Sequence, residues 1–469
     1  MNVNEVSCCK VYSLRKQLEQ AEWDIILSYA HRVRALRCLR GSFGLARDCI
    51  ETLSNPPTST EPIFPNLRII GLQEPSRTII PLLRHLTNPK LTDIWFKRME
   101  NLGAAIEAFG IACPLVTDFY VSEWANADTI SGLICRWQNL RSVGCYHIGL
   151  NVNALSHLSR LRNLLDMTCK VHDAVVQRVL ATTLAFPALG DIHLGSDSLT
   201  PICRLLHHLR IPVVHDVSVG LHTPPTALDL MSFFVALQEA CTNRDSLNNL
   251  LLRVYNVQGQ SNDIPVDDGP RYYITFNRLR PLTVFANIIS ITLDIPCGAD
   301  LNERELLCLA SSWPHLENFE VGEDYDWPPS SAITPEGFLQ LLERCRSLRV
   351  LYFMLDTRGY TEIPRGHPWR GLTMPKGTFI HLLNSPIEEE SIMALGVFFH
   401  VAPYPDFSLT THWNNHYFHG SERPRELCDL YYARWVEARS LARDLWEEQR
   451  ELRCAVETRR QQPRLGLAP

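Results

Sequence analysis

The sequence predicts an α/β solenoid: parallel strands along the concave face of a right-handed horseshoe, helices on its convex face. Three observations predict it. A triplet of apolar positions, the second three residues after the first and the third two residues later, occurs twelve times. Its copies recur with a period in the twenties. A segment of helical period follows almost every copy. This combination is the signature of a leucine-rich repeat.

The copies run in order. A weak first one is Val33/Leu36/Cys38. Then come Leu67/Ile70/Leu72, Leu91/Ile94/Phe96, Val116/Phe119/Val121, Leu140/Val143/Cys145, Leu164/Met167/Cys169, Leu189/Ile192/Leu194 and Val214/Val217/Val219. The last four are Leu247/Leu250/Leu252, Ile288/Ile291/Leu293, Leu316/Phe319/Val321 and Leu348/Leu351/Phe353. From Leu67 to Val214 the first position advances by 24 or 25 residues, and afterwards by 33, 41, 28 and 32. About twelve repeats are therefore expected, and a stacked array can outgrow the size limit of one globular core.

Before the array, Val11 to His31 reads as a helix with Leu14, Leu18, Ile25 and Ile26 on its apolar side. Within it, the spacing predicts helices over Thr78 to Leu86, Leu102 to Ala112, Thr129 to Trp137, Ala174 to Ala185, Pro201 to Leu209, Leu228 to Cys241, Glu303 to Trp313 and Pro335 to Cys345. Thr334-Pro335 is an N-cap followed by proline at the first helical position. Strand and helix alternating in one direction give a parallel sheet with right-handed crossovers. Pro424 to Arg460 reads as one long helix whose stripe includes Tyr431, Trp435, Ala438, Leu445, Leu452 and Val456. It is read as a cap on the open end of the array, with a coiled-coil partner helix as the alternative. The expected organisation is thus an N-terminal helical cap at 1–29, the repeat array at 30–412, a linker and capping helix at 413–460 and a disordered tail at 461–469.

Composition narrows the function classes. The chain is 45% hydrophobic and 20% charged, with a net charge of −6. That balance gives no general attraction for nucleic acid or an anionic membrane, and no apolar run reaches the ~18 residues of a membrane span. The 15 cysteines show no CxxC pair. Cys38, Cys145 and Cys169 fill a core position of the repeat, and Cys113 and Cys345 precede strands, as small hydrophobes do in a reducing compartment, cytoplasmic or nuclear. No nucleophile–base pair, phosphate loop or metal-ligand spacing is found. The expectation is a binding protein, not an enzyme, with no cofactor and no metal.

Two candidate surfaces follow. The residue before each second apolar position points away from the core, because strand side chains alternate. In six consecutive copies it is Asp93, Asp118, Ser142, Asp166, Asp191 and Asp216. Trp95 and Tyr120 occupy the next outward lane. An acidic row beside aromatic rings suits a protein segment carrying Lys or Arg. The plainer alternative is that aspartate keeps an exposed strand soluble. The second surface is the set of long insertions after the strands of the C-terminal half, Leu221 to Ala227, Asn256 to Tyr273, Gly322 to Ile333 and Asp356 to Gly371. They carry Tyr272, Tyr273, Tyr325, Trp327, Tyr360 and Trp369, with Asp267, Asp268, Glu323, Asp324 and Asp326 nearby. Rigid aromatics ringed by charge make binding anchors, or else pins that hold the loops to the array.

The chain also resembles fungal F-box/leucine-rich-repeat proteins over about residues 20 to 400. The resemblance rests on Trp23-Asp24 with Tyr29-Ala30-His31-Arg32-Val33-Arg34-Ala35-Leu36, and on the strand openers Phe64-Pro65-Asn66-Leu67, Cys113-Pro114-Leu115, Phe186-Pro187-Ala188-Leu189 and Trp313-Pro314-His315-Leu316. Trp137-Gln138-Asn139-Leu140, His157-Leu158-Ser159 and Leu309-Ala310-Ser311-Ser312-Trp313-Pro314 complete it. It implies the substrate-recognition part of a ubiquitin-ligase receptor, with a cullin–RING ligase adaptor as partner where an F-box is encoded upstream. The residues before Trp23 lack the Leu-Pro-x-Glu opening of such a box. The alternative is a leucine-rich-repeat binding protein with no ligase role.

Overall fold

Every copy of the triplet forms a strand in the computed structural model. The residues described are 2–6, 9–38, 43–45, 47–56, 62–72, 80–97, 103–122, 126–173, 176–177, 183–255, 271–322, 332–363, 375, 377–400, 407–414 and 425–461. The chain divides into two compact units, Met1–Gly220 with Glu239–Asn243, and Leu221–Gln238 with Arg244–Pro469.

In the first unit the strands Ala35–Cys38, Ile69–Leu72, Asp93–Phe96, Asp118–Val121, Ser142–Gly149, Asp166–Lys170, Asp191–Ser196 and Asp216–Leu221 lie side by side in chain order. The pairing is parallel and keeps motif register through the triplets, with Ile70, Ile94, Phe119, Val143, Met167 and Ile192 aligned across the sheet and a shift between Cys145 and Gly149. These positions are buried, and so are the third positions Leu72, Phe96, Val121, Cys145, Cys169 and Leu194. Helices cover that face. Phe96 meets Phe109 of the helix Gly103–Ala112 edge-on at 5.6 Å, and Phe119 meets the Trp137 ring at 5.0 Å. The buried Trp137 indole keeps its one donor satisfied on the Cys113 carbonyl at 2.9 Å, as a buried indole must.

Local chemistry sets the helix ends. The Asn126 side chain accepts from the backbone of Asp128 and Thr129 and starts the helix Ala127–Ile134. Asn151 starts Val152–Leu158 in the same way. At the N-terminus the expectation of a helix from Val11 is corrected. Cys9–Ser13 is a strand, antiparallel to Asn2–Val6, and the helix spans Gln20–Ala30. The β-prone Val11 and Tyr12 take the pairing, while a capping box between Glu19 and Glu22 fixes the helix start. The helix expected over Ala174 to Ala185 lies mostly outside the described residues. Its last two residues, Leu184–Ala185, pair in parallel with Leu209–Arg210, so the neighbouring helix Leu199–His207 also stops two residues short of its expected end.

In the second unit six strands follow in chain order: Asn249–Val254, Ser290–Asp294, Asn318–Val321, Val350–Tyr352, Thr378–His381 and Phe407–Thr410, all parallel. The last two lie beyond the twelve triplets. The expected helices appear as Ala227–Ala240, Glu303–Ser312 and Pro335–Arg344, the last capped by Thr334 with Pro335 at its start. Arg425–Gln461 is one helix. Its Trp435 is buried and donates to the Ser385 carbonyl at 2.9 Å, a carbonyl that also accepts from the Trp413 indole at 2.8 Å.

Candidate partner-binding face

The sheet of the first unit has one face under helices and one face without them. Alternation sends Asp93, Trp95, Asp118 and Tyr120 to the second face, since Ile94, Phe96, Phe119 and Val121 are buried beneath the helices. The register aligns Asp93, Asp118, Ser142, Asp166 and Asp191 residue for residue. Asp216 stands at the same place in its strand and is hydrogen-bonded to Asp191. In the second unit the equivalent positions are Asn249, Ser290, Asn318, Val350 and Phe379, so the acidic lane belongs to the first unit.

Each carboxylate has its own setting. Asp93 and Asp118 accept from the preceding residue, Thr92 and Thr117, at 2.6 Å in both cases. Asp166 Oδ2 accepts from Ser142 Oγ at 2.6 Å and from the Tyr120 hydroxyl at 3.4 Å, and the two hydroxyls are themselves hydrogen-bonded. The other oxygen, Asp166 Oδ1, is buried without a hydrogen-bond partner. Neighbouring carboxylates on strands ~4.8 Å apart repel by several tenths of a kcal/mol in water and more in the protein. The consequence shows at Asp191, whose carboxyl is pushed up by burial first, then by the hydrogen bond and charge of Asp216, and by Asp166. Burial likewise raises the Tyr120 phenol, helped by Asp166 and Asp118 and opposed by the Ser142 hydrogen bond.

The next lane reads Arg37, Gly71, Trp95, Tyr120, Gly144, Thr168 and His193. Trp95 and Tyr120 stack with centroids 3.9 Å apart, and Trp95 stays 48% exposed. The Tyr120 ring lies over Gly144, where a side chain would collide with it. On the other side of Trp95 stands Gly71, again without a side chain. The result is a groove of about 430 Å³ whose walls include Gly71, Trp95, Tyr120 and Tyr146. Lys97, Ser122 and His147 also line it. Of these residues the sequence pointed to Trp95 and Tyr120 alone. The others carry a readable signal, the continuation of the outward alternation two residues past the aromatic lane, and a glycine at 144 where the Tyr120 ring needs room.

The loop candidates fare differently. Tyr325, Trp327 and Trp369 lie outside the described residues, as do Asp267, Asp268, Glu323, Asp324 and Asp326. Tyr273 opens a short strand, Tyr273–Thr275, parallel to Gly298–Asp300. Tyr360 packs edge-on to Phe398 at 5.9 Å, with its phenol pushed up by burial and then by Glu336. Tyr360 thus rests against the core, whereas Tyr273 is placed through its backbone pairing. Cys113, Cys135, Cys145, Cys169, Cys241, Cys297, Cys308 and Cys345 are free thiols. Burial pushes Cys113 and Cys169 up to about 12 and Cys345 to about 11, as unreactive core side chains. No helix among the described residues is long and apolar enough to cross a membrane.

Parallel strands repeated at motif spacing, most of them followed by a helix among the described residues, define a leucine-rich-repeat fold. Among solved structures, the chain is similar to the leucine-rich-repeat-containing protein LegL7 from Legionella pneumophila. The two share 13% identity over 80% of this chain and 96% of that one, with a TM-score of 0.27. No family model matches the sequence, and no curated protein does.

Proposed function

We propose that this chain is a protein-interaction scaffold whose first unit takes a Lys- or Arg-bearing segment of a partner along the aspartate lane. The observation that carries the reading is the exposed Trp95–Tyr120 stack beside aligned Asp93 and Asp118. A tryptophan left half in water on a sheet face is a costly surface that a bound partner covers, and stacked aromatics next to carboxylates favour a cation. Mutual repulsion along the lane is a stability cost that a purely structural face would avoid, and a basic ligand relieves it. The test is Asp93→Lys with Asp118→Lys. The double variant should lose affinity for a basic probe peptide and lose most of the salt dependence of binding. Equal affinity at low salt would end the reading.

The resemblance to F-box/leucine-rich-repeat proteins supports a narrower form, in which the captured protein is presented to a ubiquitin ligase. Co-purification of the natural full-length product with the ligase adaptor tests that form separately.

A further inference from the structure

The groove lies beside the acidic lane, and its own lining carries the opposite charge, at Lys97. The ladder continues one residue past the strands, with Lys97 N donating to the Leu72 carbonyl at 2.9 Å and Ser122 N to the Phe96 carbonyl at 3.1 Å. Outward alternation therefore runs Asp93, Trp95, Lys97 on one strand and Asp118, Tyr120, Ser122 on the next. Three rows cross the sheet: acidic, aromatic, then basic and polar. Lys97 is exposed in the groove lining, and Ser122 Oγ is buried there with no hydrogen-bond partner among the described residues. Asp93 and Lys97 are four residues apart on an extended strand, about 13 Å. That exceeds the ~8 Å screening length at physiological salt, so the two ends do not neutralise one another and each remains available to a ligand. Between them, one face of Trp95 is taken by Tyr120, and the neighbouring position on the other side is Gly71, with the Arg37 side chain packed beside it.

We propose that the groove binds an extended protein segment by three alternate side chains: a Lys or Arg at the Asp93/Asp118 row, a flat apolar or aromatic side chain against Trp95 above Gly71, and a carboxylate at Lys97 and Ser122. Residues two apart on an extended chain share one face and repeat at the same spacing as the sheet positions they meet. The occupant is thus a basic–x–apolar–x–acidic segment, or its reverse if it runs antiparallel to the strands. The proposal rests on the reading above for its basic end and adds the acidic end and the spacing.

Fluorescein-labelled peptides with the cores Arg-Ala-Phe-Ala-Glu and Glu-Ala-Phe-Ala-Arg, and the same two with Glu replaced by Ala, separate the claims by anisotropy on the intact chain. In one direction the Glu peptide should bind about tenfold tighter than its Ala counterpart, the size expected of one charge-assisted contact. Lys97→Glu, at an exposed site that leaves the circular dichroism unchanged, should remove that gain and transfer it to Arg-Ala-Phe-Ala-Arg. Gly71→Leu should weaken every probe by crowding the groove beside Trp95 and Arg37. A Glu that makes no difference in either direction, or a gain that survives Lys97→Glu, overturns the acidic end while leaving the basic one standing. Failure of all the peptides to bind overturns both, and binding unchanged in an Ala-Ala-Phe-Ala-Glu control overturns the basic end.

Discussion

Gly144 is held bare by Tyr120: a Cβ on the glycine would collide with Cδ1 of the ring and stand 2.9 Å from Cε1. The ring cannot swing aside cheaply, because its hydroxyl is hydrogen-bonded to Ser142 and Asp166 and its face is stacked on Trp95. Gly144→Val should therefore cost about 1–3 kcal/mol, the range of overpacking a fitted site. It should also weaken any ligand that rests on Trp95. Urea unfolding and anisotropy on the same variant check the two effects together, and an unchanged midpoint would show that the ring does not depend on the glycine.

The acidic lane makes a pH prediction. Asp191 has its carboxyl raised by burial and by Asp216, so the folded chain binds this proton more tightly than the unfolded one. Its contribution to stability is fully present below the ordinary carboxylate value near 3.9 and is lost as pH rises through the raised folded value. Asp191→Asn keeps the shape and removes the charge. It should raise the melting temperature at pH 7, and the gain should shrink as pH falls into the carboxylate range. A gain independent of pH would assign the effect to something other than ionisation.

His381 gives the opposite sign in the second unit. Burial first, and then His412 with its ring 4.1 Å away, pulls its pKa down to about 3. The neutral ring is stacked on Tyr352 at 5.0 Å, and its Nδ1 accepts from the Leu383 amide at 3.1 Å. That bond helps hold Leu383 at a φ of +44°, which a leucine rarely adopts. Protonation would destroy the acceptor. Stability linked to His381 is present above the ordinary histidine value near 6.5 and is lost as pH falls towards the folded value. Melts at pH 7 and pH 5 should show a smaller acid loss in His381→Phe than in the unaltered chain, starting from a lower baseline because the Leu383 amide loses its partner. Equal acid losses would exclude the ring as the source.

Phe119 tests the layered core directly. It is fully buried between its strand neighbours and Trp137. Phe119→Ala should cost about 3–5 kcal/mol. A loss below about 1 kcal/mol in denaturant would mean that the layer closes over the gap.

The strands and most helices were readable because burial has a fixed period in each. Leu67, Ile70 and Leu72 must all reach the helix side, and one misplaced residue would turn the set over. The aspartate lane was readable from the same alternation, since Asp93 and Asp118 stand one residue from a buried position. What could not be read was lateral. Nothing along the chain says that Tyr120 leans across Gly144 to Ser142 and Asp166, because strand-to-strand register appears only when the copies are stacked. The N-terminal strand Cys9–Ser13 was missed for a related reason: its partner, Asn2–Val6, supplies the pairing that outweighs the helical spacing of Leu14 and Leu18. The strands Thr378–His381 and Phe407–Thr410 lack the triplet yet continue the ladder, because backbone hydrogen bonding to a preceding strand does not require the motif.

The C-terminal helix separates into a part that is packed and a part that is not. Trp435, Ala438 and Ala442 are buried, Leu441 fills the space over Gly396 of the neighbouring helix Ile392–His400, and two indoles share the Ser385 carbonyl. From Glu447 to Glu457 the residues are exposed apart from the half-buried Gln449. If the helix closes the end of the array, the closure resides in its first half. Trp435→Ala should then cost about 3–5 kcal/mol, through the lost ring and the Ser385 carbonyl left with one donor. Removing everything after Trp446 should shift stability by no more than about 0.5 kcal/mol, as surface changes do. Comparable losses from both changes would mean that the exposed half also holds the unit together. A loss confined to the truncation would reverse the assignment.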